Sequence, residues 1–426
     1  MARMCNYIFR TVATILILIS ISSNLFGITL DEAISKAEKY YPPLRERMHL
    51  KEASYLFYKA SLDPYYPTIS SSISYQSLIE SSSRSLQRIW DRECALGLGI
   101  SYRFFDGGYR RSKMKQAYLT FSQEDEEIKA IKNDLILKVK TAFYNVLAKE
   151  RILESRREAE ETARRNYELA KERKKVGLTT LFDVTHAEVR YINARLAVVD
   201  AEKALEKAIG DLNSLIGIPL QKGTKVEGRL REEWLPVYFE QLKRIAYERR
   251  PEILKQIKEI KKVEQIVREY KSEYFPKIDS EIDFNWFDNN FGLSQREHMF
   301  LVTLSYNIFD GLGRYHRVSA KKRELMANYK RLDELKREIG LEVYKAYKDL
   351  EMAFSSLKIA KELVREAQIN YNQAYGEYKV GKGDIIALID AELALSQSRE
   401  ELIKQVLNYN LAISGLEHAV SVKFLK

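Results

Sequence analysis

The sequence predicts a mainly α-helical protein with four β-strands per chain, built from two copies of one structural unit. Three observations lead to this fold class: an internal repeat through most of the chain, pairs of segments with alternating apolar residues, and a segment from Tyr109 to Val176 without glycine or proline. Each unit is expected to contain a short helical region, two strands and one very long helical hairpin.

The internal repeat is visible as a matching turn in each half of the chain. The stretch KKVGLTTLFDVTHAE begins at Lys174, and YKVGKGDIIALIDAE begins at Tyr378, a difference of 204 positions. In the same register, SYRFFDG from Ser101 recurs as SYNIFDG from Ser305. Further upstream the difference is 209 positions, so the first half carries five extra residues ahead of Ser101. A self-similarity of fixed period indicates one structural unit used twice.

The predicted domain organisation follows from this repeat. A first repeat is expected at residues 28–217, a linker at 218–236, a second repeat at 237–422 and a short tail at 423–426. Residues 1–27 resemble a cleaved export signal, because Arg3 and Arg10 precede a short apolar run that is followed by small residues. We expect cleavage at about residues 23–27.

Amphipathic strands are predicted where the apolar period changes to two. Leu96, Leu98 and Ile100 alternate with Gly97 and Gly99, and the second repeat has the same pattern. The four predicted strands span residues 67–82, 93–106, 276–288 and 297–309. An ordinary sheet packed on a hydrophobic core explains this alternation as well as a membrane strand does.

Two antiparallel coiled-coil hairpins are predicted at residues 108–215 and 313–420. At a rise of 1.5 Å per residue, the first long helix has a length of about 100 Å, which no compact globular domain needs. Gly177 and Gly381 are expected to end the long helices in the left-handed conformation. Thr180 and Asp183 form a capping box for the first returning helix, and Asp384 caps the second, which gives these residues a structural role.

Four strands cannot close a barrel, and an open sheet edge cannot face hydrocarbon. If the strands lie in a membrane, several chains must therefore share one barrel, and twelve strands from three chains leave room for a pore. An exported chain with period-two strands and no apolar helix in its mature part suits a bacterial outer membrane.

The mature chain as a whole resembles the TolC family of outer-membrane efflux proteins. The resemblance is carried by the internal duplication, by the strand endings YRFFDGG and YNIFDGLG that lead into the long helices, and by the two turns that contain Val-Gly. It implies a homotrimer with a twelve-stranded barrel in outer-membrane lipid and an α-helical tunnel across the periplasm. It also implies passive export, as the exit duct of a tripartite efflux or type I secretion system. In such a system a periplasmic adaptor, or membrane fusion protein, joins the duct to the inner-membrane pump that supplies the energy.

The resemblance also assigns gate residues at the hairpin turns. The family's closing tyrosine matches Tyr378, and its aspartate partner in the first returning helix matches Asp183, which the capping box explains equally well. The aspartate that lines the tunnel entrance matches Asp390, where three copies near a threefold axis would attract cations. Two positions depart from the family pattern.

The family's gating arginine falls on Gly383, and an acid one turn before the aspartate ring falls on Ala387. The gate is therefore expected to have fewer contacts, with Lys382 or Lys175 as substitutes for the arginine. Adaptor docking is expected at the hairpin tips. The tip residues are Val176, Gly177, Leu178, Thr179, Thr180, Val380, Gly381, Lys382, Gly383 and Asp384.

Composition and spacing argue against enzymatic and nucleic-acid functions. The formal net charge of +10 is spread along Lys-, Glu- and Arg-rich helices, whereas nucleic-acid binding needs clustered charge. The five histidines are scattered without metal-ligand spacing, so we expect no catalytic site, no metal site and no cofactor.

Two alternatives stay open at the level of sequence. A periplasmic coiled-coil scaffold or adaptor without a pore would also have an export signal and amphipathic hairpins, although it would not need the two pairs of alternating strands. A dedicated outlet for protein secretion would have the same tunnel. The exported cargo, whether drug, metal or protein, cannot be derived from a tunnel that different pumps can use.

Overall fold

The computed structural model describes residues 27–80, 89–288 and 293–424. The predicted export signal at residues 1–27 lies, apart from Gly27, outside the described residues. The first half contains α1 (Leu30–Tyr40), α2 (Pro42–Ala60), β1 (Thr68–Glu80), β2 (Ile89–Phe105), α3 (Tyr109–Lys175) and α4 (Leu181–Ile216). The second half contains α5 (Phe239–Arg249), α6 (Pro251–Ser272), β3 (Lys277–Asp288), β4 (Gln295–Ser305), α7 (Gly313–Val380) and α8 (Ile385–Val420). The predicted fold class, mainly helical with long hairpins and four strands per chain, is confirmed.

The two halves repeat the same elements in the same order. Helices α4 and α8 both have 36 residues, and both of their ends differ by 204 positions. Helices α1 and α5 both have 11 residues, and their ends differ by 209 positions. The repeat found in the sequence is therefore also a repeat of structure. The offset between the two repeats is 209 positions at the first helices and 204 positions at the hairpins.

The four strands form one antiparallel sheet in the order β1-β2-β3-β4. Ile73 pairs with Leu96, and Leu96 pairs with Trp286, so the two repeats meet between β2 and β3. The apolar side chains of the outer strands are not covered by a core, since Ile73 is 79% exposed and Phe300 is 68% exposed. The alternative of an ordinary sheet packed on a hydrophobic core is therefore wrong for these strands.

Among the described residues, the strand ends differ most from the prediction at two places, each by four residues. The second strand begins at Ile89, ahead of the predicted residue 93. The fourth strand ends at Ser305, ahead of the predicted residue 309. Ser305 pairs with Lys277, and the residue before Lys277 is Pro276, which has no N–H to continue the ladder.

The repeated Phe-Asp-Gly motif connects a strand to a long helix. Asp106 Oδ2 accepts a hydrogen bond from the backbone N–H of Arg110 at 3.0 Å, in the first turn of α3. Asp310 Oδ2 accepts the corresponding bond from Arg314 at 2.8 Å, in the first turn of α7. Each aspartate therefore satisfies a donor that the helix itself leaves free. This local chemistry explains why both helices begin at the same point of the repeat.

The long helices pack as antiparallel coiled-coil hairpins. Leu153 of α3 lies against Val198 and Ala201 of α4, and Arg157 and Glu202 form an ion pair at 2.8 Å between the same helices. Alanines at seven-residue spacing are buried along two of the helices. They are Ala187, Ala194, Ala201 and Ala208 in α4, and Ala353, Ala360 and Ala367 in α7. A buried heptad repeat of small residues lets two helices approach closely.

The chain divides into two compact units that do not coincide with the repeats. One unit comprises residues 1–45, 129–250 and 337–426, and it contains α4, α5, α8 and the turns of both hairpins. The other comprises residues 46–128 and 251–336, and it contains the sheet and α6. Each unit therefore draws on both repeats.

None of the described helices has a stretch of sufficient length and hydrophobicity to cross a lipid bilayer.

Candidate functional site at the hairpin turns

Both long helices end in the same hydrogen-bonded turn. The N–H of Leu178 bonds to the carbonyl of Arg173 at 2.9 Å, and the N–H of Lys382 bonds to the carbonyl of Glu377 at 2.9 Å. Gly177 has a φ of +78° and Gly381 a φ of +82°, a left-handed conformation that costs glycine little. The two turns therefore need glycine for a local structural reason.

The returning helices begin with side-chain caps, as the sequence indicates. Asp183 and Thr180 form a reciprocal capping box, with Thr180 N–H donating to Asp183 at 3.0 Å and Asp183 N–H donating to Thr180 Oγ1 at 3.2 Å. The hydroxyl of Thr179 also donates to Asp183 Oδ2. Asp384 accepts from the N–H of Ala387 at 2.7 Å. Asp183 therefore has a capping role, whatever further role it has.

Tyr378 lies in an apolar cluster where the two hairpins meet. It is 2% exposed, and the cluster includes Ala170 of α3, Val184 of α4 and Leu388 of α8. Its hydroxyl oxygen is buried and makes no hydrogen bond with any residue that the structure describes. Helices from both repeats therefore contribute to the environment of this side chain.

Arg173 joins the end of α3 to the end of α7. Its guanidinium carbon lies 4.8 Å from the centroid of the Tyr378 ring. Nη1 of the same side chain donates to the backbone carbonyl of Tyr378 and to that of Lys379, the latter at 3.4 Å. A cation at a helix C-terminus and over a tyrosine ring is favourable for two electrostatic reasons. Arg173 thus connects the two turns directly.

The electrostatics of the site follow from these contacts. The hydroxyl of Thr179 and the N–H of Thr180 hold the pKa of Asp183 below its usual range, and the Arg173 guanidinium acts in the same direction. Burial raises the pKa of Tyr378, whereas the positive charge of the nearby Arg173 guanidinium lowers it. Asp183 is therefore an anion at neutral pH, while Tyr378 stays a neutral phenol.

The structure brings Asp183 and Tyr378 into one site, but Asp390 is not part of it. Asp390 is exposed on α8, on the side opposite to the buried Leu388 and Ile389. Asp390 forms no ion pair and no hydrogen bond with any residue that the structure describes. Its position leaves the carboxylate free to face solvent.

The cation at the site is not one of the lysines named as substitutes. Lys175 pairs with Glu172 of its own helix at 2.6 Å, and Lys382 is exposed without an ion pair among the described residues. At Gly383, an added β-carbon would lie 3.1 Å from the backbone nitrogen of Tyr378, which is tighter than ordinary contact. Gly383, the position to which the resemblance assigns an arginine, is therefore tightly packed here, and the guanidinium beside Tyr378 is that of Arg173 from the other hairpin.

Sequence reasoning did not single out Arg173. Its only signal is that it lies among three consecutive basic residues in the last turn of α3, with Lys174 and Lys175. Any of the three could interact with the helix dipole. Which of them reaches the other hairpin is decided by the direction in which the helix ends.

The sequence reasoning also missed a buried polar group centred on Glu392 of α8. Glu392 is 2% exposed, accepts a hydrogen bond from Asn166 Nδ2 at 2.6 Å and forms an ion pair with Arg190 at 3.2 Å. Both repeated turn stretches end in Ala-Glu, at Glu188 and Glu392. This repetition was the signal in the sequence that could have pointed to Glu392. Burial raises the pKa of Glu392, and Arg190 and Asn166 oppose that effect.

The tips themselves expose apolar side chains. Val176, Leu178, Leu181 and Val380 are each more than 60% exposed. Among the described residues, no cluster of three His, Cys, Asp or Glu side chains is arranged to hold a metal ion. The site therefore consists of a direct contact between the ends of two hairpins, made by Arg173, and an uncovered apolar surface at the tips.

Comparison with known sequences gives a family for this chain. The model of the family described as outer membrane efflux protein matches residues 33–218 and 242–420. Protein CyaE of Bordetella pertussis (strain Tohama I) is 26% identical over 390 residues, which cover 87% of this chain and 79% of that protein. Outer membrane protein TolC of Escherichia coli (strain K12) is 21% identical over 396 residues, which cover 89% of this chain and 79% of TolC.

Comparison with solved structures agrees on the fold. A crystal structure of CusC, studied for folding and transmembrane channel formation, superimposes with a TM-score of 0.80 at 16% identity, covering 93% of this chain and 94% of CusC. The family match includes both repeats and both hairpin turns. The chain therefore belongs to the outer membrane efflux protein family, whose members are transport proteins of the outer membrane that extend into the periplasm, and not enzymes.

Proposed function

We propose that this efflux protein is the exit duct of a tripartite efflux or type I secretion system. Three copies of the chain form a twelve-stranded barrel in the outer membrane and a helical tunnel below it. Transport through the duct is passive, and an inner-membrane pump, connected by a periplasmic adaptor, supplies the energy.

The observation that carries this proposal is the open sheet. Within the described chain, β1 and β4 each pair with one neighbour and leave their outer edges free. Their apolar side chains are exposed, with Ile69 at 67% and Leu304 at 66%. A free edge cannot face hydrocarbon, because its N–H and C=O groups would lack partners. Pairing β4 of one copy with β1 of the next removes every edge, and twelve strands enclose a pore.

We assign the periplasmic gate to the site around Tyr378. Arg173 holds the end of α7 against the end of α3, and Asp183 fixes the neighbouring turn through Thr179 and Thr180, so loss of either side chain should loosen the closed arrangement. Asp390 is assigned to a ring of three carboxylates at the tunnel entrance, an assignment supported by its exposure on α8. The exposed apolar tips support adaptor docking, because such side chains are normally covered by a partner.

The test of the proposed function is the conductance of the purified mature protein in a planar bilayer. We expect a small steady conductance that increases in Asp183→Ala, because this change removes the acceptor of Thr179 and Thr180. The control is Asp384→Ala, which removes the cap of the other returning helix and should leave the conductance closer to that of the wild type.

The opposite result has a clear meaning. If the wild type and both variants show no conductance and stay soluble without detergent, the pore is absent. The chain would then be a periplasmic coiled-coil scaffold, and the assignment of a gate would fail with the channel.

A further inference from the structure

A groove with four basic side chains lies where the sheet joins the helices. It has a volume of about 320 Å³ and lies between the start of α3 and the end of α6. Arg111 and Lys115 line it from α3, and Arg268 and Lys271 line it from α6. We call it the basic groove, defined by these four residues. No carboxylate is among the described residues that line it.

The positive charge of the basic groove is not compensated within the described chain. None of its four basic side chains forms an ion pair or a hydrogen bond with any residue that the structure describes. The nearby carboxylates pair with other cations, Glu269 with Lys113 at 2.7 Å and Asp106 with Arg110 at 2.8 Å. The groove therefore attracts anions.

A buried amide also lines the basic groove. Gln265 of α6 is 8% exposed and forms no hydrogen bond with any residue that the structure describes. A buried polar side chain normally has a partner, because it costs free energy to bury one without a hydrogen bond. An anion with several oxygen atoms can accept from this amide and from the basic side chains at once.

The fold itself does not require these charges. With offsets of 204 positions for α3 and 209 positions for α6, three of the four basic residues have an uncharged counterpart in the other repeat. These counterparts are Tyr315, Ser319 and Leu62. Gln265 corresponds to Leu56, and only Arg268 corresponds to a basic residue, Lys59. The same helices are therefore built in the other repeat without a set of this kind.

The basic groove lies at the level where the proposed barrel leaves the membrane. Phe105 ends β2 and Phe275 lies two residues before β3, and their side chains are 42% and 52% exposed. Aromatic side chains mark the membrane–water interfaces of outer-membrane barrels. Arg111 follows Phe105 in the first turn of α3, so the charges of the groove lie beside the lipid headgroups.

The groove is on the side of α3 that faces away from the polar face of the sheet. Arg110 lines a different recess, together with Arg103 and Asp279 of that polar face. At about 100° per residue, Arg111 and Lys115 lie about 100° and 140° around the helix from Arg110. The polar face of a membrane barrel lines its interior, so the basic groove opens toward the outside of the barrel.

We infer that the basic groove binds the phosphate of an anionic phospholipid at the periplasmic surface of the membrane. This inference rests on the proposed barrel and adds a lipid ligand to it. Arg111 and Arg268 donate paired hydrogen bonds to the phosphate oxygens, as guanidinium groups favour, and Gln265 donates through its amide. Lys115 and Lys271 add charge, so a lipid with a net negative headgroup binds more tightly than a zwitterionic one.

The experiment is native mass spectrometry of the full mature protein, delipidated in detergent and titrated with phosphatidylglycerol. Phosphatidylcholine, whose headgroup has no net charge, is titrated in parallel. We expect a single phosphatidylglycerol to bind to each chain about tenfold more tightly than phosphatidylcholine. The test variant, with Arg268→Gln and Lys271→Gln, loses two charges and should bind phosphatidylglycerol about 10- to 30-fold more weakly.

The matched control carries Lys322→Gln and Arg323→Gln, two exposed residues of α7 that do not line the groove. It loses the same two charges and should bind phosphatidylglycerol as the wild type does. A second variant, Gln265→Leu, keeps every charge and should weaken binding severalfold. Unchanged binding in the test variant and in Gln265→Leu, or equal weakening in the test variant and the matched control, would overturn the site.

Inorganic phosphate distinguishes the lipid headgroup from free phosphate as the source of the bound group. We expect sodium phosphate at the concentration of the lipid to leave phosphatidylglycerol bound, because the acyl chains add apolar contact beside Phe275. Complete displacement of the lipid would assign the groove to free phosphate and overturn the inference.

The outcomes separate the inference from the proposed function. A protein that conducts in a planar bilayer but binds both lipids equally overturns the lipid site and leaves the channel intact. A protein that does not conduct and stays soluble without detergent overturns the proposed function, whatever binds in the groove.

Discussion

Arg173 shows how one side chain can hold two hairpin ends together. Its guanidinium donates hydrogen bonds to backbone carbonyl groups at the end of α7 and lies over the ring of Tyr378. Both interactions are therefore lost together if the guanidinium is removed. A cation over a tyrosine ring contributes about 0.5–2 kcal/mol, depending on how far it is desolvated. A free energy of this size is enough to bias a gate between two states.

At this scale we predict that Arg173→Gln opens the gate. Losing about 1–2 kcal/mol from the closed state should raise the open-to-closed ratio about 5- to 30-fold. Single-channel recording measures that ratio directly. The control is Lys175→Gln, which removes a basic residue from the same helical turn but affects only the exposed pair with Glu172. If Arg173→Gln and Lys175→Gln change the open-to-closed ratio equally, the contact of Arg173 with the end of α7 does not hold the gate closed.

At the scale of elements, the buried carboxylate of Glu392 connects three helices. Asn166 reaches it from α3 and Arg190 reaches it from α4, so the returning helix α8 is fixed to both arms of the first hairpin. A buried acid whose pKa is raised stabilises the folded state fully below its ordinary pKa of about 4.3. That contribution is lost as the pH rises through the raised value, and Arg190 limits the loss by pairing with the carboxylate.

We therefore predict a pH-dependent cost for Arg190→Leu. Above the raised pKa of Glu392 the variant leaves an uncompensated buried charge, and we expect it to lose about 3–5 kcal/mol of unfolding free energy at pH 8. At pH 5 the loss should be smaller, because a larger fraction of the Glu392 carboxyl group is then protonated. Denaturant midpoints at the two pH values measure this difference.

A matched control is Arg157→Leu. Its pair with Glu202 is largely exposed, with side chains 60% and 43% accessible, and such pairs contribute about 0–1 kcal/mol. A loss in Arg190→Leu that is the same at both pH values would show that packing, and not the charge of Glu392, determines the effect.

At the scale of the whole molecule, one chain is incomplete. Within the described residues, its sheet has two free edges, and its outer strands expose apolar side chains. Assembly of three copies would pair the edges and place the strands in one barrel. It would also bring the exposed Asp390 side chains of α8 near one axis.

We predict that Asp390→Asn lowers the cation selectivity of the channel. Three carboxylates in a ring attract cations and raise their local concentration. Removing them should lower the cation-to-anion permeability ratio severalfold, measured from the reversal potential in a salt gradient. The control is Glu206→Gln, an exposed residue of α4 whose charge is already paired with Lys203 at 2.9 Å. An unchanged ratio in Asp390→Asn would remove this residue from the proposed ring.

The sequence by itself determined the repeat, the two hairpins, their glycine turns and the capping residues Thr180, Asp183 and Asp384. These features depend on local chemistry or on periodicity, which a linear sequence contains. Only the tertiary structure decided that β4 ends at Ser305, because that limit depends on which residue of β3 lies opposite. In the same way, the partners of Arg173 and Glu392 belong to the other repeat, and contacts between distant segments depend on how helices pack, which no local pattern records.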